Sequence, residues 1–538
     1  MESRDPAGDR WWNRPTQTAS REVLDEIHLR RIRHLVAWAY EHSPLHRRIY
    51  DDAGVKPGDI RSWDDYYGRL PFTDKDDYLA DQELSPSGYG GLALPPETFQ
   101  QYFHTTGTTG RYLHEVFTQF EMQKSATQYC YSFWDHGIRP GDSIYFCFNW
   151  GMWVGLWSIY WGARNMNLLI LSGGGLSSLE RVGQILEYRP KVVIGTATYL
   201  LHLVDVSREA GLDLSSAGVE IIGGGGEPGF SVPVTRQRLI EGWGGPGVID
   251  MYGIGEAMHV AQSCREWGGG VHVIEDVCQA YSADPETGRP ILDDGVVGEN
   301  IVTSYTHFAQ PFIKYRTHDL VRRDYHPDHG CGWTWAHLPG VVLGRTDFMV
   351  TIRGTNVYPT AVENLLGGIP GLSNHYELHI SRRDEMDHLM VKVEAAAAAA
   401  DRAGLAHRLA EHLRANLGVR LDTEVVAPGA LPRYELKSKR IFDERRTDER
   451  PQFDLGRTLF SDQVSAGPPP TASSLLPEET EVRRQRLFDL RARLRRERAL
   501  TPPPAVDHAL RLAELYLQIG LGYCGHNDDL FPEESVRT

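Results

Sequence analysis

Two glycines and four threonines are concentrated in one short stretch, HTTGTTGRY, from His104 to Tyr112. Gly107 and Gly110 let backbone N–H groups turn towards an anion, and the hydroxyls of Thr105, Thr106, Thr108 and Thr109 add further donors. That chemistry suits a chain of phosphates. The stretch is not the GxxxxGK[ST] loop, because Arg111 and Tyr112 follow Gly110 where that motif has Lys and Ser or Thr. Alone, it is equally a polar Gly/Thr turn. Five more segments follow it in order: GGGGEP at 223–228, MYGIGEAM at 251–258, YRTHDL at 315–320, GRTDFMVTIRG at 344–354 and LPRYELKSKR at 431–440. They bring carboxylates at Glu256, Asp319 and Asp347 and cations at Arg345, Lys437 and Lys439.

The elements that must hold these segments read as α/β. Residues 20–50 have helical apolar spacing, with Ser20 at the cap position. KVVIGTA and VEIIGGGG look like buried strands running into Gly turns, the pattern of an α/β sheet. Residues 296–355 are a series of short β-rich pieces. Residues 375–427 read as a small α+β unit, with strands HLMVKVEA and TEVVAP around an Ala-rich helix that begins in the alanine run. Beyond about residue 446, Pro468–Pro470 and Pro502–Pro504 punctuate two helices. The first carries Leu487, Leu490 and Leu494 among eight arginines between Arg483 and Arg498, and the second is mostly apolar. Neither helix buries its apolar face alone, so a hairpin docked on the enzyme itself or on a dimer partner is expected.

The 538 residues suggest two to four domains. With 56 basic against 72 acidic residues the net charge is −16, which argues against nucleic acid or an anionic membrane as a general partner. No apolar run approaches the roughly 20 residues of a membrane span. Six cysteines in so long a chain are no disulfide framework, and a cytoplasmic location is expected.

The ordered motif set resembles the adenylate-forming superfamily and, within it, the phenylacetate–coenzyme A ligase family. AGVKPGDIRSWDDYYGRLPFTDKDDY, FAQPFIKYRTHDL and RGTNVYPTAVENLL extend the resemblance over about residues 11–446. It implies a large N-terminal ATP- and acid-binding domain with distorted sheets (1–346), a small mobile α+β domain (347–446) and an extra helical extension (447–538). It also implies ATP, Mg²⁺ and coenzyme A as reactants and cofactor.

By the same resemblance, Thr105 to Gly110 hold the β,γ-phosphates. Gly225, Gly226, Glu227 and Pro228 form the adenine-side loop. Tyr252, followed by Gly253, stacks on adenine, and Glu256 binds Mg²⁺. Asp319 takes the ribose hydroxyls, Arg345 contacts the ribose, Asp347 is the hinge and Lys437 is the mobile lysine of adenylation. The chain departs from the pattern at several points. Arg111 replaces a Lys, Gly255 stands where Ser or Thr usually precedes the Glu, and His318 stands where Gly usually precedes the Asp. Phe348 replaces a second hinge acid, and Leu436 replaces the Gly before Lys437.

Members of the family sometimes carry a structural zinc. Here Cys264, His272, His329 and Cys331 supply a Cys₂His₂ set in two close pairs. Trp150, Trp153, Trp157 and Trp161 have helical spacing, and Trp153, Trp157 and His259 are expected to wall the acid pocket, implying a small or aromatic acid. The expected activity is acid–coenzyme A ligation. Two alternatives stay open: adenylation with another acceptor (an amine, a carrier-protein thiol or nitrite-type chemistry), and a catalytically weak binding or scaffold protein.

Overall fold

In the computed structural model, residues 10–105, 112–266, 269–346, 350–352, 355–357, 362, 365–366, 369–383, 386–396, 401–417, 419–432, 441–443, 477–500 and 502–523 are described. Val192–Ile194 and Ile221–Gly225 have no exposed face, so they fit only inside a sheet covered on both sides. They lie mid-sheet in an eight-stranded array. Its order is His337–Pro339, Gly270–Val273, Met258–Gln262, Gly247–Ile254, Ile221–Gly225, Val192–Ile194, Ser143–Phe146 and Leu169–Ser172. From Gly247–Ile254 to Leu169–Ser172 the neighbours pair parallel, and the other three strands are antiparallel. Each parallel crossover is a helix: Val154–Asn165, Ser178–Tyr188, Ala197–Glu209 and Pro233–Gly242. Ser177 and Glu180 close a capping box on the second of these, and Thr196 caps the third. Tyr145, Val193, Leu200, Leu203, Ile222, Leu239 and Trp243 pack between sheet and helices.

A second sheet is antiparallel throughout, in the order Pro290–Ile291, Cys278–Ala283, Val297–Ser304, Tyr315–Arg322 and Gly344–Arg345. The Thr/Gly stretch joins the two strands of a separate hairpin, Phe99–His104 and His114–Thr118. The expected single helix over 20–50 is two, Arg21–His42 and Pro44–Asp52. Pro44 lacks an N–H and forces Ser43 out of helical geometry, to φ −104° and ψ 114°.

The smaller α+β part has a four-stranded sheet ordered Asp422–Val426, Met386–Ala395, Leu372–Arg383 and Ile441–Asp443, with helix Arg402–Leu417. The helix does not begin in the alanine run. Ala395 ends a strand and pairs with Leu372, so sheet pairing overrides the helix propensity of alanine there. Residues 397–400 lie outside the described residues.

The chain separates into two compact units, Met1–Arg10 with Pro15–Asp448, and Trp11–Arg14 with Glu449–Thr538. The second holds the helices Pro477–Ala499 and Pro504–Tyr523. Glu514 pairs with Arg495 and Arg498, and Arg498 also reaches Asp507. Of the expected leucine stripe, Leu487 and Leu494 are half-buried but Leu490 is 47% exposed, whereas Arg491 is 4% exposed and lies beside Glu514. The guanidinium stems cover apolar surface while their heads pair with acids of the neighbouring helix. Trp11–Arg14, expected within the N-terminal domain, group with this hairpin, and Ala505 N–H donates to the Trp12 carbonyl.

Candidate active site and metal centre

Asp319 and Arg345 face one another across two adjacent antiparallel strands, and Arg345 Nη1 donates to Asp319 Oδ1 at 2.9 Å. The other oxygen, Oδ2, accepts from the Tyr252 hydroxyl at 2.7 Å. Tyr252 comes from the eight-stranded sheet, so this bond ties the two sheets together. Behind it, Asn300 Nδ2 donates to the Tyr252 oxygen at 3.2 Å, and buried Arg323 donates to Asn300 Oδ1 at 2.6 Å. Burial, and then the charge of Asp319, push the Tyr252 phenol well above its ordinary value, so it stays a donor. The order Arg323, Asn300, Tyr252, Asp319 is a chain of polarised hydrogen bonds that fixes one carboxylate.

Glu256 sits in the turn between Gly247–Ile254 and Met258–Gln262, is 7% exposed, and accepts from the Tyr315 hydroxyl at 2.9 Å. Two glycines allow the backbone packing here. A Cβ on Gly253 would lie 2.2 Å from the Met258 carbonyl, and one on Gly225 would lie 2.1 Å from that of Met251. Gly226, with φ +87°, stands against the Trp153 ring. Glu227 turns its carboxylate to the N-terminus of helix Ala197–Glu209, accepting from the Thr198 N–H and hydroxyl at 2.6 and 2.7 Å. Pro228 opens a short 3₁₀ turn.

Thr105 closes the base of the hairpin that joins Phe99–His104 to His114–Thr118, with its N–H donating to the Leu113 carbonyl and its hydroxyl accepting from the Leu113 N–H. Thr106, Gly107, Thr108, Thr109, Gly110 and Arg111 lie outside the described residues, as do Asp347, Phe348, Leu436, Lys437 and Lys439. His318 adopts φ +61°, the left-handed region. The Gly expected there is the residue that tolerates such a backbone. Its N–H donates to Glu299, and its Nδ1 lies 3.2 Å from the Thr346 hydroxyl.

The tryptophans do not share one helical face. Trp150 and Trp153 precede the helix, which starts at Val154. Trp157 folds back to donate to the Gly151 carbonyl at 2.7 Å and packs 5.0 Å from Trp150. His259 is 2% exposed, stacks on Tyr129 and shares a hydrogen bond with Gln262. Its pKa is pushed down to about 4 by burial, so it is a neutral ring packed beneath the strand, with its Nε2 edge taken by Gln262.

Cys264, His272, His329 and Cys331 converge, with their donor atoms all within 4.8 Å of one another. Cys264 Sγ to His329 Nε2 is 3.3 Å, Cys331 Sγ to His272 Nε2 is 3.3 Å, and the two Nε2 atoms are 3.2 Å apart. Tetrahedral zinc, with bonds of about 2.0 Å to nitrogen and 2.3 Å to sulfur, has ligand–ligand edges of roughly 3.3–3.8 Å. His272 Nδ1 lies 2.8 Å from the Trp335 carbonyl, which fixes that N–H outward and turns the Nε2 lone pair into the cluster. The Trp333 N–H donates to Cys331 Sγ. The Cys331 thiol is pushed down to about 4, first by the hydrogen bond from Cys264 and then by His272, while that of Cys264 is pushed up. The donor set and spacing fit zinc, which would clip the Met258–Gln262 and Gly270–Val273 side of the sheet to the loop before His337–Pro339.

Sequence reasoning missed Tyr315, Asn300 and Arg323. It also missed Glu115, which lies against Gly255. The available signal was an acid directly before Val116 and Phe117 in a short strand after the Thr/Gly loop.

A family profile described as "AMP-binding enzyme C-terminal domain" matches residues 354–445. The phenylacetate-coenzyme A ligase of Thermus thermophilus is 31% identical over 450 residues, spanning 80% of this chain and 98% of that enzyme. The phenylacetate-coenzyme A ligase of Escherichia coli is 30% identical, spanning 80% and 97%. The crystal structure of 2-hydroxyisobutyryl-CoA ligase in the postadenylation state, in complex with 2-HIB-AMP, superposes with a TM-score of 0.76 at 27% identity. It covers 82% of this chain and 94% of that one. The fold is that of an adenylate-forming enzyme. The chain belongs to the phenylacetate–coenzyme A ligase family, whose members are AMP-forming acid–CoA ligases.

Proposed function

We propose that the chain activates a small or aromatic carboxylic acid with ATP and passes the acyl group to the thiol of coenzyme A. An acid oxygen attacks the α-phosphorus, the bond to pyrophosphate breaks, and an acyl-adenylate forms. The coenzyme A thiolate then attacks the acyl carbon, and AMP leaves with the bonding electrons. The observation that carries this reading is the fixed Asp319 carboxylate. Tyr252 and Arg345 each occupy one site on its two oxygens, leaving acceptor capacity for the two ribose hydroxyls.

Glu256, oriented by Tyr315, would hold Mg²⁺, which neutralises charge on the phosphates when bound. Thr105 to Gly110 would cradle the β,γ-phosphates, and Gly225, Gly226, Glu227 and Pro228 would border the adenine. Glu227 does so indirectly, by pinning that loop to Thr198. Lys437 would supply the cation at the α-phosphate, and Asp347 the hinge. Trp153, against Gly226, and Trp157 would border the acid. Relatives named for phenylacetate and 2-hydroxyisobutyrate support an acid of that size.

The test is AMP release from ATP across a panel of acids that includes those two, with coenzyme A, with amines, or with neither. Acid-dependent AMP release that yields a coenzyme A thioester is expected. A product formed with an amine but not with coenzyme A would replace the acceptor. No acid-dependent AMP release under any condition would defeat the reading.

A further inference from the structure

Glu115 is 1% exposed, and neither of its carboxyl oxygens has a hydrogen-bond partner among the described residues. It is the second residue of His114–Thr118, the strand that leaves the Thr/Gly stretch, and it pairs with Phe103 across the hairpin. Burying a polar group without a partner is costly, and for a carboxylate the cost is larger still. The position of this carboxyl therefore calls for a reason.

The carboxyl is aimed at Gly255. A Cβ built on Gly255 would lie 2.3 Å from Glu115 Oε1 and 3.0 Å from Oε2. Residue 255 is the one immediately before Glu256, where a hydroxyl side chain is expected by resemblance. Here that side chain is missing, and the Glu115 carboxyl fills the space into which it would project. The two residues fit each other: the glycine leaves room, and the glutamate occupies it. Glu256 has the Tyr315 hydroxyl on Oε1, whereas Glu115 has no donor among the described residues. Two carboxyls, 1% and 7% exposed, thus converge beside the turn at 255–257, at the foot of the hairpin that carries the Thr/Gly stretch.

Like charges brought together away from water repel, and a dication between them reverses the sign of that interaction. Mg²⁺ in nucleotide sites is bound by one or two carboxylates together with substrate phosphates, and it favours hard oxygen ligands. We propose that Glu115 is a second carboxylate ligand of the divalent cation that binds with ATP, acting together with Glu256. The proposal rests on the adenylation reading given above. It makes the metal site of this chain more anionic than one built from a single glutamate and a neutral hydroxyl. The cation is then held by the protein as well as by the nucleotide.

The test uses the full-length protein with Mn²⁺ as a spectroscopic stand-in for Mg²⁺ and α,β-methylene-ATP, which cannot be cleaved at the reacting bond. Electron paramagnetic resonance titration reads free and bound Mn²⁺ directly, without turnover. The wild type should show a nucleotide-dependent Mn²⁺ site, and Glu115→Gln and Glu256→Gln should each weaken it by about tenfold or more, since each removes one charged ligand. Metal-free Glu115→Gln should melt no lower than the wild type, because it removes a buried carboxyl that has no hydrogen-bond partner among the described residues. Wild-type Mn²⁺ affinity and line shape in Glu115→Gln would overturn the proposal while leaving the adenylation reading intact. A wild type with no nucleotide-dependent Mn²⁺ site would instead overturn the adenylation reading, and the proposal with it. Should Glu115→Gln not fold, Glu115→Ala in the same titration decides by the same criterion.

Discussion

The Tyr252 hydroxyl donates to Asp319 Oδ2 across 2.7 Å, linking the last parallel strand of the eight-stranded sheet to the antiparallel sheet. The bond orients the carboxylate proposed for the ribose, and it joins the Tyr315–Glu256 bond and a shared apolar core in holding the two sheets together. Tyr252→Phe keeps the ring and removes the donor, leaving Asn300 Nδ2 and Asp319 Oδ2 each short of a partner. A loss of about 1–3 kcal/mol is expected from such unpairing. In steady-state kinetics the KM for ATP should rise about tenfold while kcat changes less. A kcat loss at unchanged KM would separate Tyr252 from nucleotide binding.

Lys437→Ala should remove most of the adenylation half-reaction, by about 100-fold or more, because it deletes the cation proposed to meet the charge that grows on the α-phosphate. Thioester formation from preformed acyl-adenylate should fall far less. Pyrophosphate exchange and a single-turnover thioester assay read the two halves separately. Equal losses would point to Lys439 or to a structural role.

One zinc per chain, about, is expected at Cys264, His272, His329 and Cys331, and it should contribute directly to local stability. Chelation should lower the melting temperature more than it lowers the adenylation rate measured at low temperature. His272→Ala should abolish zinc retention. Metal analysis of carefully purified protein that finds no zinc would end the assignment.

His318 holds φ +61° beside Asp319. A non-glycine residue costs about 1–2 kcal/mol in that region. His318→Gly and His318→Ala lose the same contacts with Glu299 and Thr346, but only the glycine relieves the backbone. The glycine variant should therefore be more stable than the alanine variant by about 1 kcal/mol. Equal melting temperatures would mean that the left-handed backbone is not held in solution.

Burial pushes the histidines at 46, 136 and 259 down to about 4, and His307 down to about 3, from an ordinary 6.5. An unfolded chain takes up protons near pH 6.5, whereas the folded chain takes them up only near 4 or below. The unfolded state therefore binds more protons in that window, and stability rises with pH through it. The stability is complete above about pH 6.5 and is lost as the pH falls towards 4. The melting temperature should drop steadily over that range, and His259→Gln should make the slope shallower. A flat profile between pH 6.5 and 5 would contradict the buried, neutral assignment.

The ordered motifs were legible in the chain because each carries its chemistry in a few adjacent residues. Glycines at 225 and 253 mark backbone approaches that a Cβ would block. Cysteine and histidine pairs keep their spacing within a loop or across a strand turn, and an apolar run such as VVI has only one environment to occupy. Tertiary structure decided the pairings between distant segments. Tyr252 and Asp319 stand 67 positions apart, and nothing local to either residue names the other. The Glu115 carboxyl takes its meaning from the space beside Gly255, and a space has no letter in the sequence. His259 reads as a pocket wall because it follows the GEAM motif in the chain, but in the fold its ring stacks on Tyr129 and its Nε2 is taken by Gln262, contacts that no local pattern announces. The alanine run favoured helix, yet pairing with Leu372 kept Ala395 in a strand, because cross-strand bonds outweigh a propensity worth tenths of a kcal/mol per residue.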